Sequence, residues 1–250
     1  MTVVTAGSTG MGHPLRDDLV AGARTLGTIS VVGVVCGWFV VGVLSRLAML
    51  LLAVLNPVAT GVTSDDGFVM GQFTLSGSFN LFFLAGTFLG VLGAGSYAAV
   101  RGLRVGPAWF RLLSVSVGAG VVVGSQVVHS DGVDFRLLEP LWLAVALFVL
   151  LPTVFVALLS AISESLLARQ RPVPTPVVAA GLVAWVVVFP LLPLLAALAL
   201  GFVALWLADR TAAGHRMITS PVGPWVLRVG LAVVFVLALA EIASEVATLA

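Results

Sequence analysis

Between residues 28 and 55 the chain carries one charge, Arg46, in an apolar run long enough to cross a bilayer. A run of that kind fixes the solvent. In hydrocarbon each backbone N–H and C=O must find its partner inside the protein, so the run is a helix and its neighbours are helices that pack on it. Further apolar runs place spans at 78–100, 109–128, 141–167 and 225–248. With 60% of residues hydrophobic and 9% charged, lipid surrounds most of the chain. The expected fold is all-α, a polytopic transmembrane helix bundle.

The stretch 177–208 decides the number of spans. It is interrupted by Pro190 and Pro193, and as one helix it would be about 48 Å long against a hydrocarbon core of about 30 Å. Arginine concentrates in short cytoplasmic loops, and Arg16, Arg24, Arg101, Arg104, Arg111, Arg169 and Arg171 then share one side. A single crossing would put Arg210, Arg216 and Arg228 on the other side; two crossings, or a re-entrant hairpin, bring them back. The sequence therefore predicts about seven spans, in a range of about six to eight. It places the N-terminus in the cytoplasm and the C-terminus outside, in a bacterial plasma membrane. Trp109, Trp142, Trp206 and Trp225 fall near span ends, as interfacial tryptophans do. Residues 1–27 read as a disordered polar tail, and 28–250 as the bundle with two ordered outer loops, 56–77 and 129–140.

Those loops hold most of the candidate site chemistry. His129, Asp131, Asp134, Arg136 and Glu139 crowd into one, and Asp65 and Asp66 stand in the other. Arg46, costly at depth by about 2.5 to 3.5 kcal/mol, is expected to pair with Asp65, Asp66, Asp131 or Asp134, or to snorkel to headgroups. Carboxylates beside an imidazole suit a divalent cation. The spacing matches no metal motif, so His129, Asp131 and Asp134 are weak candidates and a hydrogen-bonded loop is the preferred reading. In the third span Arg111, Ser114, Gly118, Ser125 and His129 share a helical face, which reads as packing surface or as a polar pathway.

Gly33 and Gly37 in the first span, and Gly86, Gly90 and Gly93 in the second, let helix backbones approach closely. The same glycine-lined faces are the alternative surface for a homo-oligomer. Glu164 is expected to pair with Arg169 or Arg171, and Pro152 to kink the fourth span. Cys36, the one cysteine, lies inside the first span and excludes an internal disulfide. A net charge of +1 gives no sign of nucleic-acid binding. Nucleotide, zinc-protease and nucleophile-elbow motifs are all missing, so no cofactor is expected. The residues point to no soluble partner; the partner they imply is the bilayer.

Arg46, the segment TSDDGF at 63–68, the following 71–80 and HSDGVDF at 129–135 carry a resemblance. On these, residues 28–167 resemble a group of uncharacterised multi-pass integral membrane proteins of actinobacteria. The resemblance implies a bacterial source and a membrane location, and no activity. The expected function is that of a non-enzymatic membrane protein. A small-molecule or ion transporter using the third-span stripe is one alternative, and a metal-dependent membrane enzyme at the outer face is the other.

Overall fold

The computed structural model describes residues 13–59, 61–62, 74–130, 135, 137–169, 173–191 and 222–249. Regular structure among them is helical throughout: α1 (His13–Gly37), α2 (Ser45–Leu55), α3 (Leu75–Phe79), α4 (Gly86–Val100), α5 (Ala108–Ser125), α6 (Leu141–Ala168), α7 (Thr175–Val183) and α8 (Val222–Leu249). A π-helical segment, Trp38–Leu44, joins α1 to α2, and a second, Asn80–Ala85, joins α3 to α4. Five stretches are long and apolar enough to cross a membrane: Asp17–Leu55, Leu75–Leu103, Ala108–Ser125, Leu141–Ala168 and Val222–Leu249. Thr175–Val188 is a shorter apolar helix, and 192–221 lies outside the described residues. Leucines, valines and aromatics face outward along these helices, with Val54 at 69% and Leu237 at 63% exposure. Water does not tolerate an apolar surface so extensive; lipid requires it.

Helix boundaries depart from the expected ones mainly at the start. Residues 13–27, read from sequence as part of a disordered tail, are helical. Ala21, Ala23, Arg24 and Leu26 are strong helix formers, and the polar side chains there find partners. Arg24 Nη2 donates to the Val173 carbonyl at 3.2 Å, while Thr25 and Thr28 hydroxyls return to the carbonyls four residues back at 2.9 and 2.8 Å. The second span begins at Leu75, with Thr74 capping it by accepting from Gly77 N. Pro140 stands at the N-cap of α6, and the helix continues through Pro152.

Packing follows the small residues. A methyl group at Gly37 would collide with the Gly86 carbonyl oxygen, and one at Gly33 with the Gly90 carbonyl oxygen. The two helices thus touch backbone to backbone. Gly93 receives the Phe155 ring of α6. On another side of α1, Gly181 of α7 meets the Gly27 carbonyl, and Trp185 Nε1 donates to Ser30 Oγ at 3.0 Å. Gly120 and Gly124 of α5 seat against Val149 of α6. Around these seams Ile29, Val32, Cys36, Val40, Ala94, Tyr97, Phe155, Val156 and Leu159 form the buried core. The glycine faces expected to pack or to serve a homo-oligomer are taken up, at Gly33, Gly37, Gly86, Gly90 and Gly93, within one chain.

The two π segments lie side by side. Trp38 of the first stacks on Phe82 of the second at 5.8 Å, meets Phe83 edge-on at 5.7 Å, and donates from Nε1 to Thr87 Oγ1 at 2.8 Å.

Gly37→Ala is expected to destabilise the protein in detergent by about 1 to 3 kcal/mol, because the rigid Gly86 carbonyl cannot retreat. Gly118→Ala, whose added methyl meets open space, is expected to leave the thermal midpoint unchanged. Parallel thermal unfolding of both variants checks the pair.

Candidate functional site

The richest polar cluster sits at one end of the bundle, where α4 runs out and α6 ends. Tyr97 and Arg101 are four residues apart on the second span, and Ser160 and Glu164 four apart on α6, so each pair projects from one helical face. Glu164 Oε1 accepts from Tyr97 Oη at 2.7 Å, from Arg101 Nε at 2.6 Å and from Arg104 Nη2 at 2.7 Å; Oε2 accepts from Arg101 Nη2 at 3.2 Å. Arg104 Nη1 donates to Ser160 Oγ at 3.3 Å, and Ser160 Oγ donates to Tyr97 Oη at 3.1 Å. The guanidinium of Arg104 also lies over the Tyr97 ring, 5.2 Å from its centroid, and its Nε holds the Arg101 carbonyl at 3.0 Å.

One carboxylate thus stands between two guanidinium groups, and the hydrogen bonds run in a closed circuit. Arg104, with a side chain 9% exposed, could not remain there without its counter-charge. The arrangement ties the second span to the fourth. The expected partners of Glu164 are corrected here: it bonds Arg101 and Arg104, while Arg169 is exposed and Arg171 lies outside the described residues. Arg101 and Arg104 were legible only as markers of membrane side. The missing signal was three-dimensional: both arginines and Glu164 stand where the second and fourth spans, running the same way, come to their C-terminal ends side by side.

Glu164→Gln and Arg104→Gln should each lower stability, and their double-mutant cycle should show coupling of about 0.5 to 3 kcal/mol. Additive effects within about 0.3 kcal/mol would mean the pair does not act as a unit.

The opposite end carries the loop chemistry. Asn56, 7% exposed, follows α2 and makes a two-way bond with the backbone of Glu139: its Nδ2 donates to the Glu139 carbonyl at 3.0 Å, and its Oδ1 accepts from Glu139 N at 2.7 Å. The same Nδ2 donates to Leu52 O at 2.9 Å. Glu245 near the end of α8 accepts from Ser130 N at 2.5 Å. Beneath these, Leu52, Val128, Phe135, Leu138 and Ala144 form a second apolar cluster. A groove of about 380 Å³ opens beside it, lined by Ser130, Phe135, Leu138, Glu139, Leu141, Thr248 and Leu249.

Of the loop residues singled out by sequence, the structure brings Glu139 into this brace through its backbone. His129 is exposed, with Nδ1 2.9 Å from the Val128 carbonyl oxygen. Asp65, Asp66, Asp131, Asp134 and Arg136 lie outside the described residues, and with them the expected partners of Arg46. Arg46 Nε is buried with no hydrogen-bond partner among the described residues, and its Nη2 reaches the first turn of α3, where a methyl added at Gly77 would lie 2.9 Å away. Among the described residues no group of three His, Cys, Asp or Glu side chains is gathered as metal ligands would be. Asn56 was not singled out by sequence at all. An Asn just past the end of an apolar run and just before a proline is the signal that marks it, because its amide both accepts and donates.

Asn56→Ala should cost about 1 to 3 kcal/mol, since two backbone groups of Glu139 lose their partner. Asn56→Asp should do no better, because the carboxylate would face the Leu52 and Glu139 carbonyl oxygens. Denaturation of both variants in detergent measures this.

The third-span stripe divides. Arg111 and Ser114 are exposed, Gly118 is half-buried and open, and Ser125 is buried with its hydroxyl on the Val122 carbonyl at 3.1 Å. The face of α5 that meets α6 is a different one, marked by Ser116, Gly120 and Gly124. Near Ser125, Val121 packs with Ala238 and Ile242 of α8. No family model, no curated protein and no solved structure matches the chain.

Proposed function

We propose that the chain is a non-enzymatic integral protein of a bacterial plasma membrane, crossing it seven times, with its N-terminus in the cytoplasm and its C-terminus outside. One observation carries the membrane reading: five long helices whose outward faces are apolar along their length. The count of seven is supported by where the last described segments meet the bundle. Val173 is bonded to Arg24, and Arg228 Nε donates to the Leu103 carbonyl at 2.9 Å. Arg24 and Leu103 stand at the same end, so Val173 and Arg228 flank the stretch between them at that one end, which favours an even number of crossings, and the length of the apolar run 177–208 favours two over none. That end also carries the arginines, which favours a cytoplasmic assignment. A non-enzymatic role is supported by the use of the polar side chains: Tyr97, Ser160, Glu164, Asn56 and Glu245 are spent on tying spans and loops together. Transport by the third-span stripe is less favoured, because its members do not share one enclosed face.

The topology is tested in a Cys36→Ser background with single cysteines read by a membrane-impermeant maleimide on intact cells. Val58→Cys and Ala247→Cys are expected to react, and Gly102→Cys and Ser220→Cys to react only after the membrane is opened. Labelling of Ser220→Cys with protection of Ala247→Cys would replace seven crossings by six.

A further inference from the structure

Where α6 begins and α8 ends, the groove of about 380 Å³ has a lining with two kinds of chemistry. Its floor is apolar and fixed. Phe135 and Leu138, 5% and 7% exposed, belong to one cluster with Leu52, Val128 and Ala144, and the Phe135 ring lies against Phe148 at 5.2 Å. Leu141 and Leu249 pack on that cluster and extend its surface along the groove.

Its rim is polar and negative. Glu139 is exposed there; Asn56 holds both its backbone groups, while its carboxylate has no hydrogen bond or ion pair among the described residues. On the other side α8 runs to Leu249, and the last carbonyls of a helix have no partner within it and carry the negative end of its dipole. Thr248 donates its hydroxyl to the Ser244 carbonyl at 2.8 Å, so the same oxygen still accepts. By sequence, 129–140 and 241–249 together hold Asp131, Asp134, Glu139, Glu241 and Glu245 against one arginine, Arg136.

Acceptors around an apolar floor select the ligand. A carboxylate or phosphate would meet acceptors alone, and a hydrated inorganic ion would leave the floor unused. An ammonium group brings three donors and no acceptor. The volume lies in the range of small-ligand sites, about 300 to 1,000 Å³. We propose that this groove binds a small primary amine in its protonated form, the ammonium between the Glu139 carboxylate and the end of α8, and a short alkyl or aryl body over Phe135 and Leu138. The site depends on the membrane topology only for the face on which it opens.

The test uses the full-length protein in nanodiscs of zwitterionic lipid, with empty discs as the blank. Both faces are then open to solvent, so binding is read whatever the number of crossings. Saturation-transfer NMR compares phenethylammonium with two probes of like shape and other charge, 2-phenylethanol and 3-phenylpropionate. Wild type is expected to bind phenethylammonium over the other two. Glu139→Gln, which keeps both backbone bonds to Asn56, is expected to weaken binding about fivefold, and Thr248→Trp, which puts an indole into the groove, to abolish it. Glu241→Gln removes an exposed carboxylate of the same helix that does not line the groove, and is expected to bind as wild type. Thermal unfolding without probe is expected to be unchanged in all three variants. Equal binding of the alcohol or the carboxylate, full binding by Glu139→Gln, or an equal loss in Glu241→Gln would each overturn the site. Full binding by Thr248→Trp would put the amine elsewhere and overturn the groove.

Discussion

Helices in lipid gain nothing from hiding apolar surface from one another, so they associate by close contact and by the few polar bonds they can make. The backbone seam between α1 and α4 is where this chain meets that requirement, and the rest is laid out from it. Gly33 and Gly37 bring the first span against Gly86 and Gly90 of the second. Once these are in register, Trp38 reaches Thr87 and the two π segments face each other. At the far end of the second span, Tyr97 and Arg101 come level with Ser160 and Glu164 of α6. α7 then takes another flank of α1 through Gly27 and Gly181.

The polar groups divide into two belts with different chemistry. At the arginine-rich end a carboxylate gathers two cations and a tyrosine, and the net charge left over is positive. At the other end the ties are an amide on a backbone and a carboxylate on a backbone N–H: Asn56 to Glu139, Glu245 to Ser130. The first belt joins two spans directly; the second joins helix ends to the segment between α5 and α6. Between them the polar groups among the described residues include hydroxyls that return to their own helix, such as Ser116 on Leu112 and Thr153 on Val149, and indole N–H groups that cross to another, Trp38 to Thr87 and Trp185 to Ser30.

Much of this was legible in the sequence, for reasons that can be named. The length and polarity of the runs located the spans, because a bilayer sets both. Glycines at helical spacing marked the packing faces. The arginine pattern expects an even number of crossings in the 177–208 stretch; the residues that flank it, Val173 and Arg228, meet Arg24 and Leu103, and 192–221 lies outside the described residues. The site was harder to read. Glu164 was matched to arginines near it in sequence, whereas its partners belong to a neighbouring span. Asn56 went unnoticed because an amide carries no charge to attract attention, although it can answer a donor and an acceptor at once. The start of α1 at His13 was missed because the segment is polar, and polarity was taken for disorder when Arg24 had a carbonyl waiting at Val173, just before α7.

The paired π segments carry a consequence for inheritance. A π turn is in effect an α-helix with one residue too many, and removing that residue would rotate everything beyond it by about 100°. Loss of one residue between Trp38 and Leu44 would swing Arg46, Leu52 and Asn56 away from their places while leaving Gly33 and Gly37 seated. The same loss between Asn80 and Ala85 would turn Thr74 and Gly77 relative to Gly86 and Gly90. Each insertion faces the other across one interface, so the chain lengths of the two spans are not free to drift separately. A lineage carrying this bundle keeps both extra residues, or sheds one and must rebuild the half of the membrane domain above it.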